Sequence, residues 1–122
     1  MQTKHEKGRK GEQMAWEFFR SKGFELERKN LRIGHREIDL IVRKAELMVF
    51  VEVKLRSTDY FGMPESMISK RQERNIVEAS DQYLKHIGWE GEVRFDVIAV
   101  VANKREKRLL HIEDAFWPFC TD

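Results

Sequence analysis

Apolar residues return along the chain with two different periods, and the switches between them outline seven elements. Met14, Ala15, Phe18 and Phe19 recur at helical spacing within Gly11 to Lys22, and Gly23 follows as a stop. Phe24 to Leu31 sets Phe24 and Leu26 against charged neighbours, the mark of a half-buried strand. Glu37 to Val42 and Leu47 to Lys54 read as two further strands, joined as an antiparallel hairpin by Arg43-Lys44-Ala45-Glu46. The second of them is nearly all apolar until its end, which predicts a central strand covered on both faces. A loop over Arg56 to Met63 leads to Pro64, and a long helix follows from Glu65 to Ile87. Met67, Ile68, Ile76, Ala79, Tyr83 and Leu84 form its apolar face, and Gly88 is its stop. Val93 to Val101 and Leu109 to Ile112 are strands separated by the charged turn Asn103 to Lys107. The order α-β-β-β-α-β-β predicts an α/β fold, a mixed sheet flanked by helices.

No repeat, linker or low-complexity stretch interrupts this order. The 122 residues fit a single domain, with 1–7 expected as a flexible N-terminal tail and 117–122 as a C-terminal tail. A chain of this size buries roughly two-thirds of its unfolded surface, so it needs neither disulfides nor a structural metal to fold. The single cysteine, Cys120, has no internal partner and fits a reducing compartment. Met1 to Arg9 is too polar for a signal peptide, and no apolar run approaches the ~20 residues that span a bilayer. The expectation is a cytoplasmic protein with no membrane partner.

The net charge is only +2, but 36% of residues are charged, so distribution matters more than balance. Lys4, Lys7, Arg9 and Lys10 crowd the amino terminus; Arg28, Lys29, Arg32 and Arg36 crowd the run before Asp39. Lys70, Arg71 and Arg74 form a third group, and Lys104, Arg105, Lys107 and Arg108 a fourth. Such clusters are either a phosphate-binding footprint or an ordinary solvated surface.

The residues that break the pattern sit in the two central strands. Asp39 interrupts Ile38 and Leu40-Ile41-Val42, while Glu52 and Lys54 alternate with Val51 and Val53. An isolated buried charge is costly, so such residues demand partners. Side chains at i and i+2 of a strand share a face, which puts Glu52 and Lys54 together. Asp39, on the neighbouring strand, reaches the same face if the register allows. Two carboxylates make a hard-oxygen site suited to Mg²⁺ or Mn²⁺. Such an ion lowers the pKa of a bound water, and a nearby lysine can orient that water and stabilise charge on a phosphate. The chemistry expected is phosphodiester hydrolysis. On residue types alone, a buried ion pair of Lys54 with Glu52 or Asp39 explains the pattern equally well.

The spacing adds specificity. Asp39, thirteen residues before Glu52-Val53-Lys54, resembles the PD-(D/E)xK signature of the restriction-endonuclease-like superfamily. Gly8-Arg9-Lys10-Gly11-Glu12, Asn30-Leu31-Arg32, Glu37-Ile38-Asp39-Leu40-Ile41 and Val49 to Arg56 further resemble the YraN-like family of small bacterial proteins. Phe61-Gly62, Ile68 with Lys70, Ala79 to Leu84 and Phe95 to Val100 extend the similarity from Gly8 to Phe116. The resemblance implies a nuclease fold related to Holliday-junction resolvases, with a divalent-metal site. It assigns Asp39 and Glu52 as metal carboxylates, Lys54 as the catalytic lysine, Glu12 as an additional acid and Lys70 as a basic residue near the site. It implies DNA as substrate, branched or otherwise non-duplex, and a homodimer by analogy with resolvases. A nucleic-acid-binding module with little chemistry of its own is the alternative.

The sequence departs from the family pattern at Arg36, where a glycine is usual, and at Lys44-Ala45-Glu46, where an Asp-Gly turn is usual; a looser turn is expected there. Arg9, Lys10, Arg36, Arg56 and Lys70 are candidate nucleic-acid contacts. Arg9 and Lys10 are read as preceding the helix start, where backbone N–H groups favour anions. Glu12 has a plainer reading as a first-turn acid favoured by the helix dipole. Glu37 shares a face with Asp39 by period two and is a candidate supporting group. His5, His35, His86 and His111 are too scattered for a zinc motif, and Trp16, Trp89 and Trp117 read as packing residues.

Overall fold

The computed structural model describes residues 4–56 and 68–116, with 4–7 as backbone only. Its elements are α1 (Lys4–Ser21), β1 (Glu25–Ile33), β2 (Arg36–Lys44), β3 (Leu47–Arg56), α2 (Lys70–Ile87), β4 (Glu92–Ala102) and β5 (Lys107–Ile112). The order is the one the apolar periods predict. Strands lie in the order β1-β2-β3-β4-β5, so β3 is central as its apolar run requires. All pairs are antiparallel except β3 with β4, which α2 connects as a parallel crossover.

Each helix covers one face of the sheet. Ala15 and Phe19 of α1 pack on Leu40, Val42, Val49, Val51, Ile98 and Val100. Ile76, Ala79 and Tyr83 of α2 pack on Ile41, Met48, Phe50, Phe95, Val97 and Ala99, and Phe116 stacks on Phe95 at 5.1 Å between ring centres. Alternating apolar residues on β3 and β4 feed both cores, which is why these strands read as continuous apolar runs.

Helix ends follow local chemistry. Ser69 caps α2: its hydroxyl accepts from the Gln72 N–H at 3.1 Å while the Gln72 side chain accepts from the Ser69 N–H. Gly88 ends the helix in the left-handed region at φ 70°. Thus α2 starts later than its predicted face; Glu65 and Met67 lie outside the described residues, as do Phe61-Gly62, Trp117 and Cys120. Helix α1 starts seven residues earlier than predicted and takes in 4–7, assigned above to a tail. Lys, Glu and Arg are good helix formers, but without apolar residues they leave no period to detect.

The expected loose turn at Lys44-Ala45-Glu46 is instead tight. Lys44 pairs directly with Leu47, leaving Ala45-Glu46 as a two-residue connection. Ala45 adopts φ 52°, the conformation that Gly34 supplies at φ 64° in the equivalent turn between β1 and β2. An alanine there costs about 1 kcal/mol of steric strain. The turn is held from outside: the Glu92 N–H donates to the Glu46 carbonyl at 2.7 Å. A Cβ on Gly91 would collide with that carbonyl, so only glycine fits.

One fully buried carboxylate secures the sheet edge. Asp96 on β4 is 0% exposed. Both its oxygens accept from Arg94 at 2.8 Å, one contacts His111 Nε2 on β5 at 2.7 Å, and the other accepts from the Asp114 N–H at 3.0 Å. Burial raises its pKa, but the bonds from His111, Arg94 and Asp114 outweigh burial and hold it below the ordinary 3.8. Its ionised form is therefore favoured by folding. That stability is present above pH ~4 and lost as acid protonates Asp96 in the folded chain. Asp96→Ala is expected to cost about 3 kcal/mol at pH 7, because Arg94 loses its bidentate partner in a buried site. Urea denaturation measures it; a loss under about 1 kcal/mol would mean the network contributes little.

Candidate active site

The β2–β3 ladder runs from Lys44↔Leu47 to Leu40↔Val51 and stops there. Asp39 and Glu52 are the next residues on each strand. The Val53 N–H, which has no ladder partner at that point, donates to Asp39 Oδ2 at 2.9 Å. The side chain thus takes the place of a backbone acceptor. Strict alternation fails at the same residue: Leu40 and Val42 belong to the core under α1, whereas Ile38, two residues on, belongs to the core under α2. Opposite Asp39, β1 carries Asn30 at φ 50°, a conformation that asparagine tolerates better than most residues. The sheet therefore opens where the acids sit.

Asp39 and Glu52 meet in this opening. Burial first, then the Glu52 charge and a hydrogen bond with Glu52, push the Asp39 carboxyl up to about 9 against the Val53 N–H, which acts the other way. Lys54 Nζ lies 3.2 Å from Glu52 Oε2, with both side chains 14% exposed. Glu12 of α1 faces the same opening. Burial raises its pKa, opposed by a hydrogen bond from Asn30 and reinforced by the charges of Glu37 and Glu52. The structure brings together Glu12, Asp39, Glu52 and Lys54, as the pattern predicts. Three carboxyl groups meet Lys54, and the Lys29 charge acts on Glu12 as well.

Glu12 lies well inside α1, whose first residue is Lys4, so the first-turn dipole reading falls. Arg9 and Lys10 are likewise inside the helix, where their N–H groups are used by the helix itself, and they offer exposed side chains instead. Arg36 turns to Glu78 on α2 and forms an ion pair with it, which explains how a charge is accommodated where glycine is usual. Glu37 is exposed and pairs with Arg32 at 2.9 Å, so its link to the site is through the field at Glu12. Arg56 ends β3, exposed, and Lys70 opens α2, 77% exposed and 3.8 Å from Glu73. His35 occupies the exposed β1–β2 turn. Asn30 is the residue that sequence reasoning passed over, although an asparagine within an apolar-charged strand is itself a signal of a left-handed position.

Among the described residues, no group of three or more histidine, cysteine or acidic side chains is arranged to hold a metal by itself. The donor set at the opening is the pair Asp39 and Glu52. It suits a hard divalent ion that takes one or two carboxylates and completes its shell with water.

The fold and site define an α/β protein whose mixed sheet parts around paired carboxylates and a lysine. Residues 11–100 match the family model described as "Uncharacterised protein family UPF0102". A UPF0102 protein of Christiangramia forsetii is 37% identical over 119 residues, spanning 98% of this chain and 100% of its own. Its counterpart in Chlorobium chlorochromatii is 38% identical over 118 residues, 92% of each chain. That of Phocaeicola vulgatus is 32% identical over 118 residues, 97% of this chain and 98% of its own. The chain belongs to the UPF0102 family, in agreement with the YraN-like resemblance. Among the described residues, no helix is long and apolar enough to cross a membrane.

Asp39 stays protonated in the folded chain to about pH 9, whereas unfolded it ionises near 3.8. Between those values the unfolded state binds fewer protons, so stability falls as pH rises. Asp39→Asn keeps an acceptor for Val53 and removes the charge. It is expected to stabilise the protein in EDTA by about 1–3 kcal/mol at pH 8, with less gain at pH 5. Urea titrations at both pH values check this; parallel pH dependence in wild type and variant would show that Asp39 ionises normally.

Proposed function

We propose that this protein is a divalent-metal-dependent endonuclease of the restriction-endonuclease-like superfamily, hydrolysing DNA phosphodiester bonds in the cytoplasm. The supporting observation is the charge imbalance at the opening of the sheet. A structural ion pair needs one acid for one base, and Lys54 already has Glu52. Asp39 and Glu12 remain, each with its charged form disfavoured by burial and by neighbouring acids. A fold that merely packed would gain by replacing them with apolar residues. A cation-binding role explains why they stand together.

Mg²⁺ or Mn²⁺ held by Asp39 and Glu52 would supply Lewis-acid chemistry and a more acidic water. The chain's own groups do the rest. Lys54 places a positive charge beside Glu52, where it orients an attacking water and stabilises charge growing on the phosphate. Glu12, with its raised pKa and its Asn30 hydrogen bond, is poised to exchange a proton with that water. The Val53 N–H fixes one oxygen of Asp39 and so aims the other. Branched or otherwise non-duplex DNA is the proposed substrate, and a homodimer would provide two such sites for paired cuts.

The test is incubation of wild type and Lys54→Ala with end-labelled junction, flap, single-strand and duplex DNA in Mg²⁺, Mn²⁺ and EDTA. Metal-dependent cutting is expected, reduced about a hundredfold or more in the variant. Equal cutting by both proteins would remove Lys54 from the mechanism. Salt-sensitive DNA retention without cutting by either would favour the rival reading, a binding module of the same fold.

A further inference from the structure

Helix α1 leaves part of the sheet uncovered. Residues 4–10 of the sequence include no apolar residue, and Lys10 lies by the apolar ends of β3 and β4. The result is a cleft of about 510 Å³ floored by Met14, Leu55 and Ala102, with the buried Val100 beneath them, and rimmed by Lys10, Lys104 and Lys107. Among the described residues, no carboxylate lines it. Glu106, the acid of the adjoining turn, pairs with Arg108 at 3.0 Å. The volume is that of a small-ligand pocket.

Gly11 of α1 lines the cleft, and its neighbour Glu12 reaches towards the acids from the same helix. The cleft itself lies on the α1 face of the sheet, with Leu55 beside Val100, whereas Glu52 and Lys54, beside Val97 and Ala99, point to the α2 face. It lies at the carboxyl ends of the one parallel strand pair, β3 and β4, where open α/β sheets bind ligands. An apolar floor beneath three ammonium groups matches a flat heterocycle carrying phosphate. Duplex DNA keeps its bases stacked and offers the cleft no such group, whereas an unpaired strand does.

We propose that this cleft binds one unstacked nucleotide of the DNA, its base on Met14, Leu55 and Ala102 and its phosphates on Lys10, Lys104 and Lys107. This rests on the endonuclease reading for DNA as the occupant, and it makes the cleft the source of preference for unpaired DNA. The same chemistry belongs to a free nucleotide, so both sources enter the test.

Fluorescence anisotropy in EDTA would follow a labelled thymidine 12-mer and the matching duplex across a salt series. The probe for the second source is thymidine monophosphate as competitor. The single strand is expected to bind tighter than the duplex. Lys104→Ala/Lys107→Ala should weaken it about tenfold or more and flatten the log–log salt slope by about 1.4, the value for two lost phosphate contacts on a single strand. Ala102→Phe, which fills the floor without changing charge, should weaken it as well, with circular dichroism confirming the fold. Binding of the monophosphate alone would keep the site and name a free nucleotide as its occupant. Affinity within twofold of wild type and an unchanged salt slope in both variants would overturn the proposal. The two readings fail separately. Lysine-dependent binding without any DNA cutting removes the endonuclease and keeps the cleft. Cutting with unchanged KM and binding in both variants removes the cleft and keeps the endonuclease.

Discussion

The point on which this structure turns is the end of the β2–β3 ladder at Leu40↔Val51. A strand pair that continued would bury backbone against backbone and leave no space between the strands. Here the Asp39 carboxylate accepts the Val53 N–H in place of a main-chain carbonyl, so the ladder ends without stranding a buried donor. Ile38 crosses to the core under α2, and Asp39, Glu52 and Lys54 are gathered in the gap. The same hydrogen bond that closes the ladder therefore sets the geometry of the candidate site.

Two aspartates in one sheet, Asp96 buried and Asp39 half-buried, illustrate how environment separates support from chemistry. Asp96 is enclosed by Arg94, His111 and the Asp114 N–H, and its charge is stabilised below the ordinary range. Asp39 has one N–H and a second carboxylate, and its charge is opposed. The first arrangement is complete within the protein. The second is completed only by something positive brought from outside, which is the physical content of calling it a site.

Covering is uneven for a similar reason. The C-terminal half of α1 carries Ala15 and Phe19 and seals its side of the sheet. The N-terminal half has only polar and charged residues to offer, and there the apolar strand ends meet lysines across open space. A helix that is long for its apolar face thus leaves a cleft at the ends of β3 and β4 rather than a closed core.

Much of this was legible beforehand. Apolar periods determined the seven elements, and β3 announced itself as central because both of its faces feed a core. Asp39, Glu52 and Lys54 stood out because charged residues do not belong in apolar strands. What the sequence could not carry was anything that depends on two segments meeting. The start of α1 at Lys4 left no periodic trace, since polar helix formers need no partner to propagate a helix already begun downstream. The tight turn at Ala45 is imposed by Gly91 and Glu92 from another strand, against alanine's own preference. The break in alternation at Asp39, the recruitment of Asn30 to Glu12, the capture of Arg36 by Glu78 and the closure around Asp96 all arise from tertiary proximity. Local pattern determined which residues fold into which element; only packing decided which charges are answered within the protein and which are left open.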